Sequence, residues 1–312
     1  MVHYYENEAD APGAPEVLSL PESATGRKAR ISVETIKLAA KVRASGARLV
    51  LVSGTRYSTL VNRLPYLPRA DAYVIENGGR IFYPKKDDAA DGGAAAAGHG
   101  ESCEAGETVD QESAIGNPNL TAHAASALTE DLKWRETMES ASGPSSQDAK
   151  APEDREGPLW DIYRKAVSEG FEVDTNTYYT MIRIKVKTGE EGEQGGEAAL
   201  KKMLESLPST LRVVTNFGLV DICPLRSGKH NAAAYLAREH FGIPLANCAS
   251  MGDDDNDIAL ANSMGKGAFI TTFSSESIEV AAKENPEQFT VAKSEGVLAS
   301  EEMLRLILAA CS

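Results

Sequence analysis

Three times along this chain, a stretch with helical spacing of its apolar residues leads into a short segment that reads as a buried strand. The run "SVETIKLAAKVRASG" leads to "ARLVLVSG", "YSTLVNRL" to "DAYVIENGG", and "GKHNAAAYLAREHFGI" to "NCASMGDDD". A short apolar run without alternation marks a strand covered on both faces. Strands that alternate with helices of this length build an α/β sheet whose loops at the strand carboxyl ends form the site. Gly46 stops the first of these helices immediately before its strand.

The middle of the chain follows another rule. The segments "YYTMIRIKVK" and "LRVVTNFGLVDICP" read as longer antiparallel strands, and "GGEAALKKMLESLP" reads as a helix. The expected organisation is an α/β core made of residues 1–83 and 225–312, with 1–30 irregular, into which an α+β domain of residues 84–224 is inserted. Two parts of the insert, about 86–126 and 140–157, are rich in Ala, Gly, Ser, Pro and acids and are expected to be flexible. Between them "LTEDLKWRETMES" carries Leu128, Leu132, Trp134 and Met138 at helical spacing.

Composition narrows the classes. With 312 residues and 42% hydrophobic content, the chain can bury a sizeable core in one large or two smaller domains. The net charge of -14 argues against nucleic acid or an anionic membrane as partner. Between Lys85 and Glu156 sixteen acidic residues face six basic ones, so most of that excess sits in the insert. No apolar run reaches membrane-helix length, and "MVHYYENEADAP" has neither the basic start nor the apolar core of a secretion signal. A cytoplasmic setting is expected, with a plastid address possible upstream. Four dispersed cysteines without a C-x-x-C pair fit reduced thiols.

The strand ends carry the chemistry. Ser53 follows "RLVLV" directly, so its hydroxyl and the amides of Gly54 and Thr55 stand where an anion would sit. Lys229 opens a helix after the polar turn "RSG", although "RSGKH" lacks the first glycine and final Ser/Thr of a P-loop. In "GDDDND", Gly252 allows a tight exit from the strand, Asp253 falls in the loop, and Asn256 and Asp257 fall in the next helical turn. Several carboxylates at one helix start exceed what a cap requires. They suit Mg²⁺, which needs only one or two carboxylates together with water and substrate phosphate.

The segments "LVLVSGTR", "YVIENGGRIFY", "DICPLRSGKHNAAAYL" and "GDDDNDIAL" resemble, in order and placement, the motifs of haloacid dehalogenase-like phosphatases. The resemblance runs from Ile31 to the C-terminus apart from the inserts, and extends to the subgroup with a large C2-type cap between the second and third motifs. On "EDLKWRETM" and "YYTMIRIKV" the chain is most similar to the sucrose-phosphate phosphatase-like branch. This implies a Rossmann-like parallel-sheet core with an inserted α+β cap. The implied activity is Mg²⁺-dependent hydrolysis of a phosphate monoester on a small phosphorylated sugar or polyol, sucrose phosphate being the suggestion of the branch. Ser53 is then the residue that hydrogen-bonds the phosphoryl group, and Lys229 offsets its charge. Asp253 is the metal ligand supported by Asp257 and Asn256, while Arg56, Asn77 and Gly78 line the entrance.

Such phosphatases also use a buried strand ending in D-x-D-x-T, which supplies nucleophile and general acid. The residues ahead of the first helix hold no apolar strand and no such motif. The nearest match, "VDTN" at Asp174, has asparagine for the second aspartate and lies inside the insert. The resemblance therefore leads to the expectation of a first strand upstream of Met1. Loss of a covalent nucleophile commonly costs about 10⁴ to 10⁶ in rate, so these residues alone are expected to be nearly inert. The alternatives are a phosphosugar-binding protein without turnover and a phosphohexomutase on the same fold.

Overall fold

The computed structural model describes residues 2–5, 16–23, 26–85, 127–185, 193–216 and 219–311. The first expected flexible segment, 86–126, lies outside the described residues.

The N-terminal part forms a small antiparallel sheet of β1 (His3–Tyr5), β2 (Val17–Leu20) and β3 (Lys28–Ser32), in the order β1-β3-β2. This corrects the expectation of an irregular 1–30. Ala29 and Ile31 alternate inward along β3 and, with Leu20, pack against Tyr66 and Ile36. Helix α1 (Val33–Ala44) starts where the Ser32 hydroxyl accepts from the Thr35 amide at 3.0 Å, and it carries Lys41 and Arg43 in its last turn.

The first core sheet has the order β4 (Val50–Val52), β5 (Ala72–Ile75), β6 (Arg80–Pro84), β7 (Leu128–Glu130). Strands β4 and β5 are parallel and connected through α2 (Tyr57–Arg63), whereas β5–β6 and β6–β7 are antiparallel. The chain thus leaves this sheet after Glu130, not after Pro84. Leu128 lies on β7 and Leu132 is 60% exposed, so the expected single helix is two short ones, α3 (Leu132–Glu136) and α4 (Glu139–Ser142). Trp134 and Met138 nonetheless pack inward against Val74, Ile81 and Leu236.

The stretch 140–157, expected to be flexible, is folded. Gln147 donates to the carbonyls of Ser142 and Glu156 at 2.7 and 2.9 Å and accepts from the Glu156 amide at 2.8 Å. Arg155 donates to the carbonyls of Asp148, Lys150 and Tyr178. Two buried polar side chains satisfy here the backbone groups that a sheet ladder would otherwise satisfy.

The inserted unit has an antiparallel sheet in the order β10 (Leu211–Asn216), β11 (Leu219–Pro224), β9 (Ile182–Lys185), β8 (Glu172–Asp174). Helices α5 (Pro158–Ser168) and α6 (Glu193–Glu205) cover one face, where Trp160, Ile182, Ile184, Met203 and Ile222 form a core. On the opposite face Arg183 and Asp221 stand at register-paired positions.

The chain returns through α7 (Lys229–Tyr235) to a fully parallel sheet β12 (Ser250–Gly252), β13 (Ala268–Ile270), β14 (Phe289–Val291). Helices α8 (Asp255–Ser263) and α9 (Glu276–Glu284) connect these strands, and α10 (Gly296–Cys311) packs on α1 through Leu304, Leu38 and Val42.

Candidate functional site

Strands β4 and β12 bring their carboxyl ends to one place. Ser53, Gly54, Thr55, Arg56, Lys229, Asp253, Asn256 and Asp257 all line a single cavity of about 1070 Å³. The Ser53 amide donates to the Val74 carbonyl at 2.9 Å, continuing the sheet, and its hydroxyl accepts from the Thr55 amide at 3.1 Å. The loop is thereby folded back on its own serine.

Lys229 is buried at the start of α7. Its ammonium donates to Asn256 Oδ1 at 2.5 Å and to Asp257 Oδ1 at 2.7 Å. The second Asp257 oxygen accepts from the Asp253 amide at 3.2 Å. This arrangement requires glycine at 252, because a Cβ there would lie 2.7 Å from the Asp257 side chain. Asp254 caps α8 by accepting from the Asp255 amide. Asp253 accepts from the Ser274 hydroxyl at 2.9 Å. Burial, and then repulsion from Asp257, push the Asp253 carboxyl above the ordinary carboxylate range.

The geometry divides the expected metal ligands. Asn256 and Asp257 each direct an oxygen at Lys229, whereas Asp253 has no lysine or arginine bonded to it among the described residues. No cluster of three or more His, Cys, Asp or Glu residues suited to a metal occurs among the described residues. A lone crowded carboxylate fits a hard cation that completes its shell with water and substrate oxygen. Asp253 is the residue here that would hold one.

The entrance residues also divide. The Arg56 guanidinium forms an ion pair with Asp174, donates to the Asn176 carbonyl at 2.8 Å and lies 4.5 Å from the Tyr178 ring centroid. Burial works against its charge, but the bond to Asp174 outweighs this and raises its pKa above the ordinary value. Asn77 and Gly78 lie behind the cavity wall. Asn77 donates to Asp221 at 2.9 Å and accepts from Asn256 at 3.5 Å. Gly78, at φ +92°, lets its backbone touch that of Gly228, where a Cβ would be 2.3 Å from the carbonyl oxygen.

Residues 146–298 match the haloacid dehalogenase-like hydrolase family. The sucrose-phosphatase of Synechocystis sp. PCC6803, solved with sucrose and phosphate, matches at a TM-score of 0.55 with 15% identity, over 88% of this chain and 90% of that one. Residues 146–298 thus carry the haloacid dehalogenase-like hydrolase match, and the chain as a whole shares the fold of this solved sucrose-phosphatase. A sugar phosphatase of haloacid dehalogenase subclass IIB matches at 0.53 with 13% identity, over 88% and 91%. A Thermoplasma acidophilum protein matches at 0.52 with 12% identity, over 89% and 90%. No curated protein matches in sequence.

Residues that composition and periodicity do not single out tie the inserted α+β unit to the core. Asp221, fully buried, accepts from Arg183 at 2.6 and 2.7 Å and from Asn77. Glu76, also fully buried, accepts on one oxygen from the amides of Tyr179 and Thr180 and from the Thr180 hydroxyl. The signal available in the sequence was a single charge within or at the end of each of the apolar runs "MIRI", "LVDIC" and "YVIE".

Proposed function

We propose that the site recognises the phosphoryl group of a small phosphorylated sugar or polyol and serves Mg²⁺-dependent phosphate-monoester hydrolysis. The observation that carries this reading is the convergence of Ser53, a buried and fixed Lys229, and a crowded Asp253 at the carboxyl ends of β4 and β12. Phosphoryl transfer asks a protein chiefly for positioning and positive charge around the equatorial oxygens. The Ser53 hydroxyl and the loop amides orient the phosphoryl group, and Lys229 neutralises it from a position that Asn256 and Asp257 hold. Bound Mg²⁺ supplies further positive charge at the phosphoryl oxygens. Tyr178, Arg183 and Leu219 bring the cap to the same cavity and would meet the sugar or polyol portion. The similarity to sugar phosphatases of the same fold supports that substrate class.

A second reading, phosphosugar binding without turnover, draws support from the state of the mouth carboxylates. Asp257 is engaged by Lys229, Asp254 caps a helix, and Asp253 is bonded to Ser274. Two measurements separate the readings. Phosphate release from sugar phosphates by a longer form of the protein that supplies the nucleophilic carboxylate, requiring Mg²⁺ and lost in Asp253→Ala, supports hydrolysis. Calorimetric binding of a sugar phosphate without phosphate release supports the second reading. Full activity of Asp253→Ala would sink the first.

A further inference from the structure

A single tight turn, Glu76–Gly78 at the exit of β5, touches both elements that face the phosphoryl position. Its backbone reaches the loop after β4: the Glu76 amide donates to the Thr55 carbonyl at 3.0 Å and the Asn77 amide to that of Ser53 at 3.3 Å. On its other side Gly78 abuts Gly228, the residue before Lys229. Asn77 stands at φ 53° and ψ 35°, in the left-handed region that asparagine tolerates better than most side chains.

The Asn77 side chain adds direction to this contact. Asp221, paired with Arg183, can only accept, so the Asn77 NH₂ faces it at 2.9 Å. Its oxygen is thereby turned to the NH₂ of Asn256 at 3.5 Å, and the Asn256 oxygen is left for the Lys229 ammonium at 2.5 Å. Arg183, Asp221, Asn77, Asn256 and Lys229 thus form one chain in which every donor meets an acceptor. A carboxylate fixes its sense at one end and an ammonium at the other, and flipping either amide would set two donors against each other. Asn77 and Asp221 are buried away from the cavity, whereas Arg183 and Lys229, the two ends of the chain, both line it.

We infer that Asn77 is a positioning residue for Lys229, a role that rests on the proposed reading of that lysine as the cation meeting the phosphoryl group. Asn77 touches no substrate. It orients Asn256, and through Asn256 the ammonium, and it ties that orientation to the Arg183–Asp221 pair of the inserted unit. A change at buried Asp221 therefore reaches the phosphoryl end of the site through one amide side chain.

The test is made on the whole chain with isotope-labelled lysine. Exchange of the Lys229 ammonium hydrogens with water is followed by NMR, and binding of inorganic phosphate by calorimetry. Asn77→Gly removes the amide but keeps a residue suited to the turn. Asp221→Asn keeps the side-chain shape and sets an NH₂ group against Asn77 or Arg183. Each is expected to speed the exchange about tenfold and to weaken phosphate about tenfold, the scale of one charge-assisted hydrogen bond. Together they should do no more than Asn77→Gly alone, since both cut the same chain. By charge alone Asp221→Asn would tighten an anion, so weaker phosphate binding reports position. Ser58→Ala breaks a different contact between core and insert, to Thr177 at 2.9 Å, and should change neither reading. Three results would overturn the inference: unchanged exchange in Asn77→Gly; effects of the two variants that multiply; or an equal effect of Ser58→Ala, which reports general loosening. Failure of the unaltered chain to bind inorganic phosphate would overturn the proposed function instead, and the ammonium exchange would still decide whether Asn77 positions Lys229.

Discussion

The Lys229 ammonium lies 2.7 Å from Asp257 Oδ1, and both side chains are more than nine-tenths buried. Neither charge can be solvated in place, so each depends on the other. Removing one partner of such a pair costs about 3–5 kcal/mol, because the other is left as an uncompensated buried charge. Asp257→Ala and Lys229→Met should each lower stability on that scale. The double variant should cost less than the sum of the two, by about 0.5–3 kcal/mol. Urea denaturation of the four proteins measures the coupling, and strict additivity would show that the contact carries no energy.

Gly78 and Gly170 both have positive φ, but a Cβ at 170 meets nothing within 4 Å whereas one at 78 would collide with the Gly228 backbone. Gly170→Ala should cost about 1 kcal/mol, the conformational penalty alone. Gly78→Ala should cost clearly more, since backbone cannot swing aside as a side chain can. Thermal melts of the two variants side by side give the comparison.

Asp71 accepts from Arg43 at 3.0 and 3.2 Å and from the Leu49 amide at 2.8 Å. Burial alone would raise its pKa, but these bonds outweigh burial and hold the carboxyl below its ordinary value. The native state therefore binds this proton more weakly than the unfolded chain does. The stabilisation is complete above the unfolded value of about 3.9 and is lost as pH falls through the lower folded value. Asp71→Asn should lower stability at neutral pH and flatten its acid dependence. Urea midpoints across the acid range would read this, and an unchanged slope would contradict it.

Arg183 and Asp221 form a bidentate pair on the inner face of the cap, the carboxylate fully buried. Asp221→Leu alone should be strongly destabilising, by about 3–5 kcal/mol. Arg183→Met with Asp221→Leu should recover most of that loss, with Asn77 left lacking one acceptor. Chemical denaturation of the single and double variants decides it.

The first parallel strand was legible because a strand covered on both faces must be apolar along its length, as "LVLV" is. The site residues at the strand ends followed from position alone: Ser53 after β4, and Asp253 after β12. What escaped was set by partners distant in sequence. Glu76 reads as an exposed loop acid, and only the cap, about a hundred residues later, supplies the three donors that bury it. Gln147 and Arg155 sit in a stretch whose composition signals flexibility, yet their side chains bind the backbone that composition cannot order. Leu128 and Leu132 matched a helical period by coincidence, because β7 ends and α3 begins between them.

Glu76 lies at the exit of a core strand; one of its oxygens faces Arg80 of β6 at 3.5 Å, and the other holds groups of the insert. One carboxylate oxygen anchors two successive amides and a hydroxyl, so these three contacts share a single atom. A change at that one atom therefore removes three of the bonds between core and insert at once, while the Arg56–Asp174 and Asn77–Asp221 bonds remain as separate ties.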